Sequence, residues 1–244
     1  MLVNHFKPMF ESVTVIAFDL DDTLWPCMPT IDRAERETYR WLQRRYPKIT
    51  EQYDEEGLFE FRKAFMNSAD HYRIDLSLMR RDMLAALARE FDYNVDAVAE
   101  EGFELFYRLR HDVEFYDDVF PVLDRLKPYY QLGSISNGNA SAGLTELNGY
   151  LDFFINAADV MARKPDRKIF SAFCQALEIE PHECLYVGDD PEYDVVGARD
   201  AGMHTVWVNR ESDDWPDHLE PAQAEISNLR QLVGLLDGET GESG

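Results

Sequence analysis

Four short clusters hold most of the residues in this chain that could do chemistry. Asp19-Leu-Asp-Asp-Thr23 follows a β-branched apolar run, Val13–Phe18. Along an extended or tightly turned segment Asp19 and Asp21 point to one side, and two carboxylates there repel unless a cation or proton intervenes. Hard divalent cations take oxygen ligands, and magnesium commonly uses a few carboxylates with waters and a substrate phosphate. Ile135-Ser-Asn-Gly138 places a small hydroxyl, Ser136, at the end of another apolar run, ahead of a flexible loop. Lys164-Pro-Asp166 is a cation before a helix start. Gly188-Asp-Asp-Pro-Glu-Tyr-Asp194 sets four acids within six positions. Together the clusters supply an anion-binding hydroxyl, a lysine and enough carboxylates for a metal.

Taken singly, each cluster has an ordinary structural role. Asp22 or Thr23 can serve as a cap or turn residue, and Ser136 can hydrogen-bond at a strand end. Lys164 reads as a surface cation, and the acids after Gly188 suit the positive end of a helix. No G-x-G-x-x-G or G-x-x-x-x-G-K-[ST] pattern is present. The collective argument is positional, because all four clusters fall at the ends of predicted strands.

The elements that must position them follow from the apolar patterning. Short apolar runs at Val13–Phe18, Gln131–Ser136, Phe153–Ile155, Cys184–Val187 and His204–Val208 read as buried strands. Helical stretches at Asp118–Lys127, Ser141–Leu147, Asp166–Leu177 and Glu192–Ala201 separate the later ones. This alternation predicts an α/β fold, a doubly wound parallel sheet with helices on both faces. Residues 26–110 carry no strand pattern. Leu58, Phe61, Phe65, Ala69 and Tyr72 recur at helical spacing, as do Leu76, Met79, Met83 and Leu87, then Val95, Val98, Phe103, Phe106 and Leu109. Ile31, Ala34, Trp41 and Leu42 form a weaker stripe that Pro47 should end. The expected organisation is a core of residues 1–25 and 111–244 with a bundle of about four helices inserted at 26–110. Such an insert can cover the carboxyl edge of the sheet, where α/β proteins place their ligands.

Composition bounds the partners. The chain has 244 residues, 45% hydrophobic and 13% aromatic, which is ample for a packed core. Its 47 acids against 24 bases give a net charge of −23, the opposite of a nucleic-acid footprint. No apolar run reaches the length of a membrane span, and the N-terminal residues lack a secretory pattern, so a cytoplasmic location is expected. A monomer and a homodimer are both compatible with the sequence. Cys27, Cys174 and Cys184 are too scattered for a disulfide framework or a cysteine zinc site. The last eight residues, from Asp237, read as a frayed tail.

In their order along the chain, Asp19-Leu-Asp-Asp-Thr23, Ser136-Asn-Gly138, Lys164-Pro165 and Gly188-Asp-Asp with Asp194 resemble the four motifs of the haloacid dehalogenase superfamily. The helical insert directly after the first motif resembles the cap of its first subfamily. The resemblance implies a Mg²⁺-dependent phosphatase in which Asp19 takes up the phosphoryl group and Asp21 serves as acid, then base. It implies that Ser136 and Lys164 hold phosphoryl oxygens. Mg²⁺ would be held by Asp19, the Asp21 main-chain carbonyl and Asp189, with Asp194 and Asp190 behind them. Thr23, Trp25, Asn137 and Gly138 are the expected substrate contacts. A finer resemblance, through Ser136-Asn-Gly-Asn-Ala140, the Gly188 motif and Glu225–Leu229, is to bacterial phosphatases acting on FMN and on a ribitylaminouracil phosphate. A nucleotide or sugar phosphate is the alternative substrate, and a dehalogenase or a non-catalytic binding module the alternative function. Trp25, Tyr39, Trp41, Phe65, His71 and Tyr72 could line a ring-stacking site, although helically spaced aromatics more often form bundle core.

Overall fold

The computed structural model describes residues 10–237; of the frayed tail expected from Asp237, only Asp237 lies within them, and it closes the last helix instead. The first strand, β1 (Val15–Phe18), is buried on both faces. Ile16 and Phe18 pack into one apolar cluster and Val15 and Ala17 into another. A helical insert follows at once: α1 (Cys27–Arg45), α2 (Pro47–Gln52), α3 (Glu55–Met66), α4 (Asp70–Ile74), α5 (Leu76–Glu90) and α6 (Val95–Arg110). Pro47 ends α1 as expected and opens α2. The stripe read from Leu58 to Tyr72 is divided between α3 and α4, because Asn67–Ala69 interrupt it. Asp54, Asp75 and Asn94 cap α3, α5 and α6, each side-chain oxygen accepting a backbone N–H at 2.8–2.9 Å. The insert has its own core around Leu42, Ile49, Leu84, Leu87 and Val98. Trp41, Phe65 and Tyr72 pack against that core, and His71 is exposed beside Tyr72.

The chain then builds α7 (Val119–Leu126), β2 (Gln131–Ser136), β3 (Phe153–Asn156), α8 (Ala157–Val160), α9 (Arg167–Leu177) and β4 (Cys184–Gly188). A wide π-type helical segment, Pro191–Val196, runs into α10 (Gly197–Asp200), followed by β5 (His204–Val208), β6 (Ala224–Ile226) and α11 (Arg230–Asp237). The six strands are parallel, in the order β3-β2-β1-β4-β5-β6. The chain winds outward from β1 on one side and then on the other, as a doubly wound sheet does. The expected α/β core with an inserted helical bundle is therefore the observed fold. Two expectations differ: the insert holds six helices, α1–α6, rather than about four, and Ser141–Leu147 forms only a single tight turn, Ala142–Leu144. The stretch contains Gly143 and Thr145, both weak helix formers. No described helix is long and apolar enough to cross a membrane.

Candidate active site

The carboxyl edge of the sheet gathers the four clusters. Asp19 is the first residue beyond β1, and its N–H donates to Val187 O of β4 at 2.9 Å. The chain then turns sharply. Asp22 takes a left-handed φ of 60°, its N–H donates to Trp25 O, and its carboxylate accepts from Cys27 N at 2.8 Å. Asp22 is thus the turn residue. Ser136 closes β2 and Gly188 closes β4, while Lys164 enters from the loop between α8 and α9. Asp19, Asp21, Ser136, Asn137, Gly138, Lys164 and Asp189 line one cleft of about 190 Å³.

Lys164 is 2% exposed and sits at the centre. Its Nζ donates to Asp19 Oδ1 at 2.5 Å, to Asp194 Oδ1 at 2.5 Å and to the Tyr186 hydroxyl at 2.9 Å. Burial alone would lower the lysine pKa, but Asp19 and Asp194 outweigh it and raise it. Burial pushes the Asp19 carboxyl well above the usual range, and the charges of Asp194 and Asp189 add to this against the pull of Lys164. Burial, then Asp194, lift Asp189 to about 7. Asp19, Asp189 and Asp194 each offer an oxygen within 4.8 Å of the others. Three carboxylates against one ammonium leave two negative charges uncompensated when all are ionised. A hard divalent cation fits that deficit and that all-oxygen donor set.

The remaining expected residues act mostly on these groups. Thr23, fully buried, donates to Asp189 Oδ1 at 2.8 Å. The Asn137 amide pairs with the Lys164 backbone, its Nδ2 donating to Lys164 O at 3.1 Å and its Oδ1 accepting from Lys164 N at 2.7 Å. Asp190 caps the helical segment after β4, its carboxylate accepting from Glu192 N and Tyr193 N at 2.8 and 2.7 Å. The Asp190 N–H donates to Asp194 Oδ2 at 3.0 Å. Gly188 must be glycine, since a Cβ there would lie 2.5 Å from Asp194 Cγ. Gly138 likewise faces Asp21, whose Oδ2 would be 2.6 Å from a Cβ.

Trp25 corrects an expectation. It is fully buried, edge-on to Phe115 at 5.2 Å between ring centroids, and offers no open face. Its indole N–H donates instead to Asp21 Oδ1 at 2.8 Å. Arg110, the last residue of α6, donates through Nη2 to both Asp21 oxygens at 2.6 and 2.5 Å. Thus the far end of the insert grips Asp21.

The sequence pattern of haloacid dehalogenase-like hydrolases matches residues 13–202. The chain belongs to that family. Among curated relatives of this haloacid dehalogenase-like hydrolase is the 5-amino-6-(5-phospho-D-ribitylamino)uracil phosphatase of Escherichia coli strain K12, 30% identical over 96% of this chain and 100% of its own. Among solved structures, a 2-haloacid dehalogenase from Pseudomonas syringae pv. Tomato DC3000 superposes with a TM-score of 0.85 at 33% identity, covering 93% of this chain and 99% of that one. A phosphatase of the family from Thermococcus onnurineus gives a TM-score of 0.68 at 29% identity, covering 94% and 100%.

Two residues at the site of this hydrolase escaped the motif reading, Arg110 and Tyr186. Arg110 had a signal: it continues the buried face of α6 after Phe103 and Phe106, where an unpaired cation is costly. Tyr186 sits two residues before Gly188 in an otherwise apolar strand, so its hydroxyl needed a partner. It lies 2.9 Å from Ile135 O and 3.2 Å from Asp194 Oδ1.

Proposed function

We propose that this phosphoric monoester hydrolase removes phosphate from small metabolites with Mg²⁺, through an aspartyl-phosphate on Asp19. The observation that carries the reading is the buried Asp19–Lys164–Asp194 triad beside Asp189 and Ser136 at one cleft. Asp19 Oδ1 is occupied by Lys164, and Oδ2 takes none of the described hydrogen bonds, which leaves it for attack. Oδ2 bonds to phosphorus as the ester P–O bond breaks. The electron pair stays on the leaving oxygen, and Asp21 donates a proton to it. Asp21 then accepts a proton from water, whose oxygen attacks phosphorus. The bond to Asp19 breaks and inorganic phosphate departs. Lys164 and Ser136 hold the phosphoryl oxygens, while Asn137 fixes the Lys164 backbone. Asp19, Asp189 and the main-chain carbonyl of Asp21 would hold Mg²⁺, which when bound offsets the charge of a carboxylate approaching a phosphate dianion.

Thr23 enters this scheme through Asp189. Thr23→Val removes the hydroxyl donor with little change in shape, and the expected result is a loss of about ten- to a hundred-fold in apparent Mg²⁺ affinity. A Mg²⁺ titration of phosphate release reads it. An unchanged half-saturation would detach Thr23 from the metal site.

The structural likeness to a 2-haloacid dehalogenase favours a second reading, attack of Asp19 on a carbon–halogen bond. That reaction needs neither Asp21 nor a metal, whereas the acids assembled here serve both, and this supports phosphoryl chemistry. The test is phosphate release from FMN, a ribitylaminouracil phosphate, nucleotides, sugar phosphates and an aryl phosphate. Each is run with Mg²⁺ and with EDTA, beside halide release from 2-chloropropionate. Metal-dependent phosphate release is expected. Halide release without phosphate release would replace the proposal by the dehalogenase reading.

A further inference from the structure

A second cavity, of about 400 Å³, lies between the helical insert and the turn after β2. Asn139 forms part of its wall, and the three residues before it, Ser136–Gly138, line the Asp19 cleft. The two spaces therefore share one short turn. The Asn139 amide donates to the Ser77 hydroxyl of α5 at 3.3 Å and ties that turn to the insert.

The walls are apolar and cationic. Phe59, Met79 and Phe106 supply much of the apolar surface, and the charged residues lining it are Arg62, Lys63 and Arg80. Among the described residues no carboxylate lines it, in a protein whose net charge is −23. Arg80 is 3% exposed, stacks over Phe106 at 3.4 Å and donates to Glu35 at 2.5 and 3.3 Å. Arg62 also pairs with Glu35. Glu35 itself faces the adjoining cavity on the other side of the two guanidiniums. One carboxylate between two guanidiniums leaves a positive charge over, while Lys63, largely exposed, pairs with Glu60 at 4.0 Å. A cation held against apolar walls is stabilised by an anion far more than one in water is.

We infer that this cavity receives the leaving group of the ester, and that the favoured leaving group joins an apolar body to a second anionic group. The inference rests on the phosphatase reading. It separates such esters from neutral sugar phosphates, which offer neither the apolar body nor the second charge.

The test uses the full chain with Mg²⁺ and two esters of similar body, 4-carboxyphenyl phosphate and 4-methylphenyl phosphate. A charge-assisted contact corresponds to a preference of about ten- to a hundred-fold in kcat/KM for the carboxylated ester, carried mainly by KM. Arg62→Gln should bring the ratio down toward one. Arg62 is chosen because Arg80 is too buried to replace without disturbing the fold, and the exposed Lys63→Gln is the second variant, with a smaller drop in the same ratio. Equal kcat/KM for the two esters overturns the inference and leaves the phosphatase reading standing. Preference for the uncharged ester, or a preference that survives in both variants, overturns it too. A chain that releases phosphate from no ester at all overturns the phosphatase reading, and this inference with it.

Discussion

Asp19→Asn should lower turnover at least about a thousand-fold while the protein stays folded. The amide cannot form the acyl phosphate, so the covalent route closes at its first bond. The fold has little reason to fail, because an asparagine carbonyl still accepts from Lys164 Nζ in the place of Asp19 Oδ1. The electrostatics point the same way. Burial and the charges of Asp194 and Asp189 oppose ionisation of Asp19 against Lys164. Because the folded-state pKa of this acid is raised, its ionised form weakens the native state as pH climbs past the unfolded value. A neutral amide carries no such cost. The measurements are single-turnover phosphate release and a thermal melt of the variant. A variant retaining more than a few per cent of wild-type turnover would remove Asp19 as the nucleophile, and one that no longer melts cooperatively would show that the carboxylate holds the fold together.

The sequence made the scaffold readable because its strands are short apolar runs that end in chemically unusual residues. Phe18 gives way at once to Asp19, Ile135 to Ser136 and Val187 to Gly188-Asp189, so the carboxyl edge is legible in the sequence. The insert was readable as helical because Leu76, Met79, Met83 and Leu87 keep one face. Other features depend on contacts that no local pattern encodes. β6 spans only Ala224–Ile226 and exists because Val206–Val208 of β5 offer it an edge. Trp25 looked like a ring for a ligand, but its neighbour in space is Asp21, and the tight turn at Asp22 creates that meeting. Arg110 is 89 residues from Asp21 in sequence, a pairing that only the closure of the insert onto the core brings about. The motif residues were legible as a set, whereas the orienting role of their neighbours was not: Thr23, Trp25 and Asn137 read as substrate contacts, yet they hold Asp189, Asp21 and Lys164, because orientation is a property of packing.

Lys164→Met is the substitution with the largest expected effect on stability. The lysine Nζ lies 2.5 Å from oxygens of both Asp19 and Asp194, and all three side chains are buried. A methionine of similar length fills the space without charge, leaving two carboxylates facing each other across it. Breaking a buried ion pair by removing one partner costs about 3–5 kcal/mol, because the remaining charge is left uncompensated. Here the partner removed serves two charges, so the loss should fall at the upper end of that range when both carboxylates are ionised. Denaturant unfolding at neutral pH, without divalent cation, reads it directly. The cause can be separated from simple mispacking by adding Asp194→Asn to Lys164→Met. Removing one of the two facing charges should return part of the lost stability, a coupling of about 0.5–3 kcal/mol. Turnover should not return with it, because the cation proposed to hold the phosphoryl oxygens is still missing. A double variant less stable than Lys164→Met alone would mean that Asp194 stabilises the fold through Tyr186 and the Asp190 N–H rather than through its charge. The electrostatic account of the triad would then fail even if the lysine proved essential for activity.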